Sequence, residues 1–269
     1  MILDTVKIIK DFYDNGVIIE WERLQNHSIE FEITKRYIDR YIKAGDSVLD
    51  IGGGPGRYSL YLAEKGCDVT LFDLSSANIK FAKDKATEQG VAFKTIVGDA
   101  REVDTLVNKH FDHILLMGPM YHLLEEADRV KAINTSLKLL KPNGKIFISF
   151  ISSYGGIIYS MKYDPQLIIN NKTKFEYKLF EDDLPFSGDS FTKAYFIRHK
   201  DVLPFMSQFP LEKLHLFGQE SILSHNEENI KAQPKEVIDK WLDLAERVSE
   251  REDLLSYSEH LMYIGRKVK

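Results

Sequence analysis

Apolar positions along the chain fall into two alternating rhythms. Ile2, Val6, Ile9 and Phe12 recur at helical spacing and predict a helix over residues 2–13. A second helix is expected from Ser28, which reads as its N-cap, with Glu30 and Glu32 in the first turn. Its apolar face is Ile33, Tyr37, Ile38, Tyr41 and Ile42. Short apolar runs then predict a buried strand at 47–51 and further strands at 68–72, 92–97, 111–117 and 145–151. Helical periods fall between most of them, at 57–65, 76–89 and 124–140, the last closed by Lys141-Pro-Asn-Gly. Strand alternating with helix is the pattern of a parallel sheet joined by crossover helices.

Residues 152–196 break this rhythm. Ten of these 45 residues are aromatic, against 12% in the whole chain, and Gly155-Gly156 and Asp164-Pro165 interrupt them. The segment is expected to be an insertion packed over the sheet edge, partly β. Beyond it the pattern returns, with a helix at 201–208, a strand at 211–219, a helix at 234–250 and a last strand at 259–266.

The densest chemical signal is Val48-Leu-Asp50-Ile-Gly52-Gly53-Gly54-Pro55-Gly56-Arg57. A buried strand ends in a carboxylate and clustered glycines, and a helix follows. Glycines let the backbone turn tightly and approach a ligand, and the helix start exposes amide donors. A dinucleotide fingerprint would need a third glycine where Arg57 stands. The spacing here is Asp-x-Gly-x-Gly-x-Gly, over Asp50, Gly52, Gly54 and Gly56. The second strand ends in Asp73, 21 residues after Gly52, and the third is followed by Gly98-Asp99-Ala100.

These residues resemble the class I S-adenosylmethionine-dependent methyltransferases, in particular the group similar to ubiquinone and menaquinone biosynthesis methyltransferases. The resemblance is close over residues 45–151 and looser over the last 70. It implies a Rossmann-like α/β fold with a mostly parallel seven-stranded sheet whose last strand is antiparallel. It implies S-adenosylmethionine as cofactor, with the methionine end near Asp50, Gly52 and Gly54, the ribose on Asp73 beside Leu74, the adenine amine near Asp99 and Ala100, and the sulfonium above Met117. On this reading one domain spans 1–269, with an N-terminal helical lid at 1–44 and an inserted cap at 152–196.

The sulfonium methyl is already activated, so the protein has to align a nucleophile, exclude water and, where needed, remove a proton. Tyr121 and His122, after the fourth strand, are the expected catalytic residues, with His27 and His199 as lesser candidates for a general base. His260 is expected to pack in the last strand. Tyr13, Trp21 and Arg23 are candidates for the lid, and Tyr13, Tyr154 and Tyr159 for the acceptor pocket. Methyltransferases acting on base amines often carry Asn or Asp, two prolines and an aromatic at the fourth strand end. Gly118-Pro119-Met120-Tyr121 departs from that pattern and argues against a nucleobase acceptor. No His, Asp or Glu set stands at metal-ligand spacing, so no metal is expected.

Composition narrows the classes further. The chain has 269 residues, a net charge of -5 and no long Lys/Arg run, which argues against a nucleic-acid partner. One cysteine excludes an internal disulfide framework, and no apolar stretch reaches 18 residues. The first residues lack the apolar core of a signal peptide, so a cytoplasmic enzyme is expected. The expected activity is methyl transfer to oxygen, nitrogen or carbon of a small molecule. Two other readings use the same loop: a non-catalytic S-adenosylmethionine binder and a nicotinamide-dependent oxidoreductase. The oligomeric state stays open.

Overall fold

Five parallel strands carry the centre of the protein: β1 (Ser47–Ile51), β2 (Asp68–Asp73), β3 (Lys94–Val97), β4 (Phe111–Leu116) and β5 (Leu140–Ser152). They lie in the order β3-β2-β1-β4-β5 in a computed structural model that describes residues 2–170, 179, 181 and 184–268. All five residues of β1 are buried, as a central strand covered on both faces requires. The covering helices are α1 (Ile2–Asn26), α2 (Ser28–Tyr41), α3 (Arg57–Glu64), α4 (Ser76–Glu88), α5 (Val103–Leu106) and α6 (Glu126–Leu139).

The inserted segment forms α7 (Ser153–Tyr163), α8 (Leu167–Asn170) and a hairpin of β6 (Phe186–Asp189) and β7 (Lys193–Ile197). It is followed by α9 (His199–Met206), β8 (Leu211–Gly218), α10 (Glu227–Lys231), α11 (Lys235–Val248) and β9 (His260–Lys267). β9 runs antiparallel between β5 and β8. Seven strands therefore match the expected sheet. The hairpin adds two more: β7 pairs in parallel with Ile151 and Ser152 of β5, beyond the point where β4 has ended at Leu116. Phe175, Tyr177, Phe180 and the charged residues Lys172, Lys174, Glu176, Lys178, Asp182 and Asp183 of the aromatic segment lie outside the described residues.

Three local expectations change. The helix read over 2–13 continues to Asn26. Its second half shows no buried stripe, because Ile18 and Ile19 are exposed and α1 lies across the ligand side instead of on the core. Ser28 is the first helical residue of α2 and caps nothing; Glu227 does that work from α10, its Oε1 accepting the Ile29 N–H at 3.1 Å. Lys141-Pro-Asn-Gly is a bulge within β5, with Asn143 at φ 62° and pairing resumed at Lys145.

Apolar side chains fill both faces of the sheet. One face packs Leu49, Ile51, Leu116 and Ile148 against α6 and α9; the other packs Val48, Leu115 and Phe147 against α2 and α11. On the second face Tyr37 stacks on Phe217 with ring centroids 3.6 Å apart. This rigid frame fixes where the carboxyl ends of β1, β2, β4 and β5 stand, and the ligand crevice opens there.

Candidate active site

The glycine turn after β1 closes on itself through its backbone. Gly52 and Gly54 sit at φ 71° and 56°, in the left-handed region that L side chains rarely adopt. A Cβ on Gly52 would lie 2.4 Å from Pro119 Cδ, so the turn and the fourth strand end touch directly. A Cβ on Gly54 would meet nothing nearer than Asn78 Nδ2 at 3.8 Å, because that side of the turn is open space.

Three carboxylates surround this space. Asp73 Oδ2 accepts the Gly54 N–H at 2.8 Å, and Oδ1 accepts the Ser75 N–H at 2.8 Å and Asn78 Nδ2 at 3.3 Å. Burial raises the Asp73 pKa, and these bonds oppose the rise without cancelling it. Asp50 is almost fully buried, accepts the Ser59 hydroxyl at 2.7 Å, and is pushed up to about 7, chiefly by burial. Burial pushes Asp99 up too, but Arg101 outweighs it and holds Asp99 below the usual carboxylate value. Arg101 bridges Asp99 at 2.6 Å and Asp128 at 2.9 Å.

A chamber of about 450 Å³ occupies the centre of this arrangement. Asp50, Gly52, Gly54, Asp73, Leu74, Asp99, Ala100 and Met117 all form its wall, together with Tyr121 and His122 from the turn after β4. A second, larger chamber of about 960 Å³ lies beside it, walled mainly by Phe12 and Ile19 of α1, Tyr159 of α7, and Phe186, Phe191 and Phe196 of the hairpin region. Tyr13, Glu20, Arg23, Tyr121 and His260 belong to both walls.

The partition between the chambers is hydrogen-bonded. His122 Nδ1 lies 3.0 Å from the Lys193 carbonyl, which can only accept, so Nδ1 carries the proton. Burial holds the His122 pKa down to about 4, so the ring is neutral at pH 7. Its Nε2 lone pair therefore accepts the Tyr13 hydroxyl at 2.6 Å. Burial raises the pKa of both Tyr13 and Tyr121. α1 is also tied to α4: Asp14 Oδ1 accepts the Ser75 hydroxyl at 2.6 Å and the Ala77 N–H at 3.1 Å.

The remaining candidates divide. Tyr159 lines the larger chamber and Tyr154 lines neither, because five residues of helix turn the two side chains apart; the α7 residues on the wall are Gly155, Gly156, Tyr159 and Ser160. Arg23 lines both chambers, whereas Trp21 packs on Phe81 at 5.4 Å. His27 lines the larger chamber with its ring held by Glu227 at 3.0 Å, and His199 is bonded to Ser256 away from both. His260 departs from the expectation that it packs, since it faces both chambers. Its Nδ1 is 2.6 Å from buried Glu220. The sequence held one signal for this: His260 opens the antiparallel last strand, which starts where the parallel strands end. Among the described residues, no group of three or more His, Cys, Asp or Glu is arranged to hold a metal ion.

Residues 48–144 match the family described as a methyltransferase domain. The glycine/sarcosine N-methyltransferase of Aphanothece halophytica is 23% identical over 232 residues, covering 80% of this chain and 82% of that protein. The ubiquinone biosynthesis O-methyltransferase of Nitrosospira multiformis is 32% identical over 117 residues, 43% of this chain and 48% of its own length. The chain thus spans about half of that relative. In fold it resembles the magnesium protoporphyrin IX methyltransferase of Synechocystis, solved with bound SAH, with a TM-score of 0.59 at 12% identity over 98% of this chain and 99% of that one. The chain thus carries a methyltransferase domain over residues 48–144 and shares the fold of a solved methyltransferase over nearly its whole length.

Proposed function

We propose that this methyltransferase transfers a methyl group to oxygen, nitrogen or carbon of a small, mainly apolar or aromatic acceptor seated in the larger chamber. The observation that carries this reading is the partition: the glycine-loop chamber and the aromatic chamber share Tyr13, Arg23, Tyr121 and His260. Asp73 takes the ribose hydroxyls beside Leu74. Asp50, Gly52 and Gly54 face the methionine end, and Met117 underlies the sulfur. Asp99, oriented by Arg101, meets the adenine amine with a remaining lone pair, next to Ala100. Bound there, S-adenosylmethionine supplies a methyl group already activated by its positive sulfur.

The chain supplies alignment, dryness and proton removal. Tyr13 presents its hydroxyl at the partition, and neutral His122 takes the Tyr13 proton as Tyr13 takes one from the acceptor. Tyr121 backs the same wall and Tyr159 flanks the acceptor. Residues 1–44 act as a lid and 152–196 as a cap on one domain. The apolar lining favours a metabolite over nucleic acid. No helix among the described residues is long and apolar enough to cross a membrane. We place the enzyme's work in the cytoplasm.

The test is a methyl-transfer screen of a metabolite extract with radiolabelled cofactor. Label should enter small aromatic or apolar products. Label that enters only tRNA, rRNA or protein would withdraw the acceptor class, and binding of cofactor without any transfer would favour a non-catalytic binder.

A further inference from the structure

His260 differs from the other polar groups around the larger chamber. Glu220 is buried at the end of β8 and accepts three hydrogen bonds: from the Ser258 hydroxyl at 2.6 Å, the His260 N–H at 2.9 Å and His260 Nδ1 at 2.6 Å. Those bonds fix the imidazole by one edge. His260 lines both chambers, so Nε2 is the nitrogen left for a ligand there to reach. The acidic side chains of the larger chamber are mostly matched: Glu20 by Arg23 at 2.7 Å, Glu259 by Lys162 at 2.7 Å and Asp189 by Lys193 at 2.5 Å. Asp164 is exposed to water.

We propose that His260 is a specificity-determining residue that donates Nε2–H to a carboxylate of the acceptor, which is therefore an apolar or aromatic carboxylic acid. This rests on the reading of the larger chamber as the acceptor site. Three carboxylates set the charge of His260. Glu220 holds it from behind, Glu259 adjoins it, Glu30 faces it from α2, and the Tyr121 ring lies 6.4 Å away. Burial disfavours the imidazolium, but Glu220 and then Glu30 and Glu259 outweigh it and raise the pKa to about 9. The Nε2 donor is therefore present at pH 7 and is lost as pH rises through about 9.

The experiment uses the full chain saturated with S-adenosylhomocysteine, titrated with benzoate, with cyclohexanecarboxylate and with the neutral isostere benzamide. The His260 imidazole ¹⁵N signals are followed in the same samples. Either carboxylate should bind and shift those signals, benzamide should bind at least tenfold more weakly, and carboxylate affinity should fall above pH 9. In His260→Gln, carboxylate affinity should drop tenfold or more while S-adenosylhomocysteine affinity holds, which shows that the fold persists even as the thermal midpoint falls with the loss of the charged partner of Glu220. Benzamide binding as well as benzoate, neither carboxylate binding the saturated wild type, or unchanged carboxylate affinity in His260→Gln would each overturn the proposal. An equal loss of S-adenosylhomocysteine affinity in the variant would also overturn it, by assigning His260 to the cofactor. A wild type that fails to bind S-adenosylhomocysteine would instead bring down the reading of the chambers beneath it.

Discussion

Single side chains carry four predictions. Replacing Asp73 by Ala removes a buried, charge-assisted acceptor, and such a loss costs about 1.5–3 kcal/mol, or about 10- to 140-fold in cofactor affinity by calorimetry. Unchanged affinity would remove Asp73 from the ribose site. Gly54→Val should be worse, since its side chain enters the open space of the chamber at a φ that valine resists. Asp50, at about 7, is partly protonated near neutral pH, and a cationic methionine end beside it would draw it toward ionisation. Cofactor binding at pH 7 should therefore release protons, seen as an enthalpy that depends on the buffer's ionisation heat, and Asp50→Asn should abolish that dependence. His122 titrates near 4 in the native state and near its ordinary 6.5 when unfolded. The unfolded chain binds the extra proton between these values, so His122 lowers stability as pH falls from about 6.5 to 4. Asp50 acts oppositely between about 4 and 7, because there the native state holds the proton. The two are separated by comparing urea midpoints of wild type and His122→Gln across that window, where the variant should lose less stability on acidification.

At the level of elements, the cap and the N-terminal helices are the parts to perturb. Replacing residues 155–190 by a short linker should leave cofactor affinity within a few-fold and abolish turnover; retained turnover on the identified acceptor would show that this segment does not cover the substrate. Glu227→Gln should cost about 1–2 kcal/mol of stability, because α2 loses its charged cap and His27 its partner. These elements also mark how far the sequence could be read. β1, β2, β4 and β5 were legible because a strand buried on both faces is a local run of apolar residues, whereas β3, at the sheet edge, is partly exposed. The turn at Gly52–Gly56 was legible because only glycine tolerates its backbone. The second half of α1 was not, since its Ile18 and Ile19 face outward and leave no periodic stripe. The α2 cap was misplaced because the capping acceptor, Glu227, lies far along the chain. Tyr154 and Tyr159 could be told apart only once a helix was known to start at Ser153.

Across the whole molecule, the glycine-loop chamber is walled mainly by α1 and residues 50–128, whereas the larger chamber is assembled from α1, the inserted segment and the start of β9. Glu220 and His260 meet only because β8 and β9 pair, which no local pattern announces. The reaction chemistry asks for no Lewis acid, so EDTA should leave turnover unchanged; activity that vanishes with chelator and returns with Mg²⁺ would overturn this. α1 has a further consequence. It places Tyr13, Glu20 and Arg23 on both chambers and is pinned to α4 through Asp14, Ser75 and Ala77. On the proposed lid reading, neither product departs freely while that helix is down. One lifting motion would then set the residence time of both, and methylated product and spent cofactor should leave with a common rate constant. Weakening the pin, as in Asp14→Ala, should shorten both residence times together and raise kcat if release limits turnover.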